Sequence, residues 1–224
     1  MIHCFYHYVD LDGHCSAAIV KSKYPDVHLI PANHGFDLDI GRIKQGDTVF
    51  VVDFTLSMSL MIDLKRVLGE ENFIWIDHHI SSIKEAARFN FKSKGLQRDG
   101  VAACELVWQY LYPNERIPDP VKLLGAFDIW DLYYDEAVIP FQYGMQSYPT
   151  DPQFDQFNWN QILYLDDNIH EITEQYDVVF QKILDEGKAI QRYKQEYDKS
   201  YGKAYSCETE IMGLPAVALN VGIC

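Results

Sequence analysis

Four short apolar runs punctuate the first third of the chain, and each of the three most apolar leads directly into acidic or imidazole residues. Residues 2–9 read IHCFYHYV and lead to Asp10-Leu11-Asp12-Gly13. Residues 48–52 read TVFVV and lead to Asp53, and residues 73–76 read FIWI and lead to Asp77-His78-His79. The fourth, VHLIPA at 27–32, lies between the first two and is expected to pair with them. Runs this short, without polar alternation, predict strands buried on both faces, as in a parallel sheet.

Helical patterns separate the runs. SAAIVKSKY (16–24) follows the first strand and SMSLMIDLKRVLG (57–69) follows the third, with Gly69 as its stop. GVAACELVWQYL (100–111) and DPVKLLGAFDIWDLYY (119–134) read as further helices, the latter with Asp119 at the N-cap and Pro120 at N1. Strand and helix in alternation predict an α/β fold with a mostly parallel, doubly wound sheet. PTDPQFDQFN (149–158) reads as a loop. Beyond it Ile162, Leu165, Ile169, Ile172, Tyr176, Val179 and Ile183 recur every three or four residues, the signature of one long amphipathic helix to about Lys199, weakened locally at Gly187. The last stretch reads as a hairpin around Met212-Gly213, the start of a small second α/β lobe that the chain truncates. The expected division is therefore a metal-binding catalytic domain at 1–155, a connecting helix at 156–200 and the beginning of a second domain at 201–224.

Ligands in open α/β sheets bind beyond the carboxyl ends of the strands, near a topological switch point. A parallel sheet brings Asp10, Asp12, Asp53, Asp77, His78 and His79 to one crevice there, with His7 just inside the first strand end. So many carboxylates together repel one another unless cations neutralise them. Asp and His donors without thiolate suit Mn or Zn, and two divalent ions roughly 3.5–4 Å apart form the usual clamp for in-line attack on phosphorus. Taken singly, each residue has a plainer reading: Asp53 as a helix N-cap, Asp10-Leu11-Asp12-Gly13 as a turn, His78 and His79 as turn histidines. Three successive strand ends with the same chemistry favour the metal site. His3, His14, His28, His34 and His170 have no such company and are read as ordinary histidines.

The bulk numbers narrow the chemistry. The chain has 224 residues, 48% of them hydrophobic and 23% charged, which is ordinary for a globular protein. The formal charge is −14 with no basic stripe, so no long nucleic acid is expected as a partner. Five cysteines in no CxxC spacing suit free thiols in a reducing cytoplasm. No signal peptide or run long enough to cross a bilayer is visible, so no membrane partner is expected.

HYVDLDGHCSAAI, VVDFT, IDHHISS and LLGAFDIWD, in this order and at these intervals, resemble the four motifs of the DHH phosphoesterases, in the branch that cleaves small oligonucleotides. The resemblance covers residues 1 to about 135. It implies that His7, Asp10 and Asp12 are ligands divided between two metals, that Asp53 bridges both, and that His78 is a ligand. It further implies that Asp77 stands behind His78 and fixes its imidazole, and that His79 faces the phosphate or leaving group as the catalytic residue. The fourth motif supplies Asp128, preferred over Asp131 because it precedes the Ile-Trp pair. The substrate-binding glycine-rich motif of the family's second domain is not found in the sequence. The implied activity is metal-dependent hydrolysis of short oligonucleotides with two divalent ions, foremost Mn²⁺, with Mg²⁺, Co²⁺ or Zn²⁺ as alternatives. The helix starting near Gly100 is expected to offer its N-terminus to a phosphate. The alternatives are a small-molecule phosphatase acting on a nucleoside 3',5'-bisphosphate, pyrophosphate or polyphosphate, and a nucleotide-binding module without turnover.

Overall fold

The computed structural model describes residues 1–33, 40–163 and 169–219, and within the last range the side chains of 169–176, 202–205 and 219 are not described. Four strands form one sheet: β1 (Ile2–His7), β2 (His28–Ala32), β3 (Thr48–Val52) and β4 (Phe73–Ile76). Their order is β2-β1-β3-β4 and every pairing is parallel. A bridge between Ile74 and Lys94, and another between Asp77 and Gln97, continue the sheet beyond β4.

Alternating side chains sort the strands onto two cores. Cys4, Tyr6, Phe50, Val52, Ile74 and Ile76 face one side. Phe5, Val49, Val51, Phe73 and Trp75 face the other. Since successive strand residues point to opposite faces, a run apolar at every position requires cover on both. That cover comes from α1 (Leu11–Lys23) and α4 (Ala103–Leu111) on the first face and α2 (Met58–Leu68) on the second, with α3 (Ile80–Arg88) after β4. The fold is thus α/β and doubly wound, as the apolar runs require. Gly69 ends α2 at φ +82, in the region glycine favours.

Several boundaries differ from those read in the sequence. β1 stops at His7, because the chain turns there to let Asp10 cap α1. Gly100 lies outside α4 at φ +76. Helix α5 (Asp119–Asp128) has Pro118 at its N-cap, with Asp119 already inside, and ends six residues early. Its end is a Schellman turn: Asp131 N–H donates to Ala126 O at 2.8 Å and Trp130 N–H to Phe127 O at 3.1 Å, with Trp130 at φ +61. Helix α6 (Val138–Met145) was not expected.

The 149–158 segment is a loop of turns, followed by α7 (Asn160–Leu163) and α8 (Ile169–Tyr205). Within the predicted long helix, Leu165 lies outside the described residues, while Ile162 and Ile183 are buried. Gly187 is no weak point. A Cβ there would meet Pro140 O at 1.7 Å, and one on Gly144 would meet Ile183 O at 2.0 Å, so the two glycines let α6 and α8 pack backbone to backbone. At the end of the described chain β5 (Ser206–Ile211) and β6 (Leu214–Leu219) form an antiparallel hairpin, turning at Met212 (φ +55) and Gly213 (φ +83). Both φ values are positive, as a type I′ turn requires. Cys4, Cys15, Cys104 and Cys207 are free, and Cys224 lies outside the described residues. Among the described residues no helix is long and apolar enough to cross a membrane.

Candidate metal centre

The parallel register sets three strand ends in a row. Tyr6 pairs with Val52 and Val52 with Ile76, so the next residues, His7, Asp53 and Asp77, stand side by side. Sheet order reverses between β1 and β3, and His7 and Asp53 lie at that switch point.

Asp10 is the N-cap of α1, its carboxylate accepting the Gly13 N–H at 2.9 Å. It also lies 2.9 Å from Nδ1 of His7, so turn and cluster readings of this residue both hold. Glycine is required at 13, because a Cβ would meet His7 O at 1.8 Å. Asp12, in the first turn of α1, is fully buried. Its two oxygens accept the N–H groups of Ala103 (2.8 Å) and Cys104 (2.7 Å) at the start of α4. That helix has Ala102 at its N-cap and no side-chain cap of its own, so Asp12 occupies the end that was expected to receive a phosphate.

Asp53 sits at φ +51, and its backbone N–H donates to Ile76 O at 3.0 Å. Only 2% exposed, it has no hydrogen-bond partner for either carboxylate oxygen. His78 Nε2 stands 3.4 Å from Asp53, 3.3 Å from Asp128 and 3.7 Å from Asp12. His7 Nδ1 lies 3.7 Å from Asp53. Asp131, the alternative to Asp128, is exposed in the turn after α5.

The role expected of Asp77 needs correcting. Its Oδ1 pairs with Nδ1 of His79 at 2.7 Å, not with the ring of His78. It holds His78 only through the backbone, accepting the N–H groups of His78 (2.8 Å) and His79 (3.2 Å), while Thr55 donates to its other oxygen at 2.5 Å. Thr55 was missed in the sequence, although it stands in the quoted VVDFT. Of the remaining histidines, His3, His14 and His28 lie outside the cluster. His14 bridges Tyr8 O and Thr150, and His3 faces His28 at 3.4 Å. His34 lies outside the described residues, as does the side chain of His170.

The result is three overlapping donor sets: His7, Asp10 and Asp53; Asp53, His78 and His79; Asp12, His78 and Asp128. Within each, one donor atom per residue lies within 4.8 Å of the others. Burial pushes the Asp53 carboxyl up to about 8, helped by the charges of Asp10 and Asp128 and opposed by His7. Burial likewise raises Asp12 to about 8, with Asp53 adding to it, and Asp128 to about 7. The carboxylates of Asp10, hydrogen-bonded to the ring, and of Asp53 nearby raise His7 to about 10, and Asp77 raises His79 to about 9. Burial acts to raise Asp10 and Asp77, but imidazole and N–H partners outweigh it and hold both low. The residues fit divalent cations: a buried carboxylate lacking donors, between acidic neighbours and imidazoles, is the site positive charge would relieve. A separate cavity of about 400 Å³, lined by Lys21, Ser22 and Trp159 among others, contains none of these residues.

Three comparisons bear on this site. The model of the DHH family, N-terminal domain, matches residues 1–127. No curated protein matches the chain. Among solved structures, an uncharacterized protein from Helicobacter pylori G27 superposes with a TM-score of 0.54 at 17% identity, covering 84% of this chain. The chain spans 63% of that protein's length, and the likeness speaks for the fold alone. With more than half of its residues matched, the chain belongs to the DHH family.

Proposed function

We propose that this chain is a metal-dependent phosphodiesterase that hydrolyses oligonucleotides of a few residues. Members of the DHH family are metal-dependent phosphoesterases, and the observation that carries the reading here is Asp53, buried without hydrogen-bond partners and shared by two of the donor sets. His7, Asp10 and Asp53 would hold one divalent ion, and Asp12, His78 and Asp128 a second, with Asp53 between them. Such ions supply Lewis acidity toward a phosphoryl group and make water a better nucleophile at neutral pH.

The protein's own residues supply the rest. Asp77 fixes the His79 ring through Nδ1, leaving Nε2 to face the substrate. His79, its pKa raised by Asp77, would deliver a proton from Nε2 to the leaving oxygen. Asp12 anchors the start of α4 and so keeps α1 and α4 in register around the site. The net charge of −14 supports a short substrate, since a long strand would need a basic groove. Mn²⁺ is the proposed ion, since the donors are carboxylates and imidazoles. The four free cysteines support a cytoplasmic setting, and the 1–155, 156–200 and 201–224 division belongs to the same proposal.

The test offers a dinucleotide, a nucleoside 3',5'-bisphosphate and pyrophosphate to the full chain with Mn²⁺. Preferred cleavage of the dinucleotide is expected. Hydrolysis of pyrophosphate alone, or of none of the three, would overturn the proposal, the last result pointing to a binding module.

A further inference from the structure

Two residues beyond Asp128 stands an aromatic ring that the chemistry above leaves unused. Trp130 is 78% exposed and follows Asp128 by two residues. With consecutive Cα atoms about 3.8 Å apart, its Cα lies within ~7.6 Å of that of Asp128. It occupies the left-handed position of the turn ending α5, at φ +61, where glycine is the usual residue and a bulky side chain is strained. Its ring is stacked on Phe127, centroids 6.3 Å apart and planes 23° from parallel. Phe127 is itself packed against the core, so the indole has a firm backing on one face. Neither packing nor capping accounts for tryptophan here: glycine would close the same turn without strain or exposed apolar surface. A strained residue two positions from a candidate site residue is grounds for a functional hypothesis.

We infer that Trp130 is a stacking surface for the base of the substrate's terminal nucleotide. The inference rests on the phosphodiesterase reading and deepens it, since it selects nucleotides over base-free phosphates. A phosphate held beside Asp128 leaves its base within reach of the indole. The ring offers a π-face that any base can cover, so selectivity among the four is expected to be slight. Metals act on the phosphate, and Trp130 supplies the affinity that an acidic protein without a basic groove does not obtain from the backbone of its substrate.

The test is binding, separate from turnover. Adenosine 5'-monophosphate and ribose 5-phosphate are titrated calorimetrically into the full chain with Mn²⁺. The wild type is expected to bind the nucleotide roughly 5- to 150-fold more tightly, the range set by stacking one base on an aromatic side chain. Trp130→Ala should erase that difference, and Trp130→Phe should keep most of it. Trp130→Gly should also erase it while melting no lower than wild type, which separates lost stacking from lost folding. Equal binding of the two ligands to wild type, or a preference that survives Trp130→Ala, would overturn the inference. Failure of the dinucleotide assay alone counts against the phosphodiesterase reading, not against base stacking.

Discussion

At the scale of single residues, Asp53 is held in a state that only an added charge can satisfy. It is buried, at positive φ, with both oxygens lacking hydrogen-bond partners. Asn adopts the same backbone region readily, so Asp53→Asn tests charge with little change of shape. In chelator at pH 8 the variant should melt above wild type, since each kcal/mol relieved raises the midpoint by roughly 2–4 °C at this chain length. The stabilisation that Mn²⁺ gives the wild type should vanish in it; thermal melts with and without the ion read both effects, and a full metal response in the variant would remove Asp53 from the site. Asp77→Asn should behave differently, retaining metal but losing about 10–100-fold in activity as the His79 ring loosens. Elemental analysis and steady-state rates on the same sample separate these outcomes. The donor types at His7, Asp10, Asp12, Asp53, His78 and His79 were legible in the sequence because they stand at or just beyond the ends of buried strands, whereas Asp128, at the end of α5, was legible only through the resemblance. Their pairings were not: His78 and His79 are adjacent, and only the path of the chain after β4 decides which ring meets Asp77. Nor does the sequence reveal that Asp12 caps a helix 91 residues away.

Elements were readable where one periodicity dominated. The four strands are mainly apolar and bounded by polar turns, and the structure has them close to where the runs lie. Helix α3 escaped notice because only Ala86 of its nine residues is buried, leaving little apolar face to read. Helix α6 escaped for the opposite reason: VIPFQYGM is apolar nearly all round and carries Pro140 in its first turn, where proline fits. Gly187 shows how local propensity and tertiary packing part company. Propensity alone says that Gly187→Ala should stabilise α8 by about 1 kcal/mol. The close approach to Pro140 says the reverse, because the added methyl would overlap a backbone carbonyl. Overpacking of this kind costs about 1–3 kcal/mol, so a denaturant midpoint below wild type is expected. A midpoint above it would mean that α8 does not seat against α6 in solution.

For the molecule as a whole, the cluster makes stability a function of pH. Asp12, Asp53 and Asp128 are raised from ordinary carboxylate values to about 8, 8 and 7. Between pH 4 and 8 the metal-free folded chain therefore binds more protons at these groups than the unfolded chain does. Stability falls with rising pH wherever the folded state holds the extra protons, so this contribution is lost across that window. His7 and His79, raised to about 10 and 9, act in the same direction higher up, their contribution intact below about pH 6.5 and lost as pH climbs through those values. Asp10 and Asp77 are lowered, and their contribution, present above the ordinary carboxylate pKa, is lost only on acidification below about pH 4. In chelator the melting temperature should thus decline from pH 5 to pH 9. Divalent cations replace the protons, so the stabilisation produced by a fixed Mn²⁺ concentration should grow over the same range, with protons released on binding. Melting curves at one-unit steps of pH, in chelator and in Mn²⁺, measure both trends. A metal-free melting temperature that rises from pH 5 to pH 8 would mean that these carboxylates ionise in the folded chain unaided, and that the cluster needs no cation to stand together.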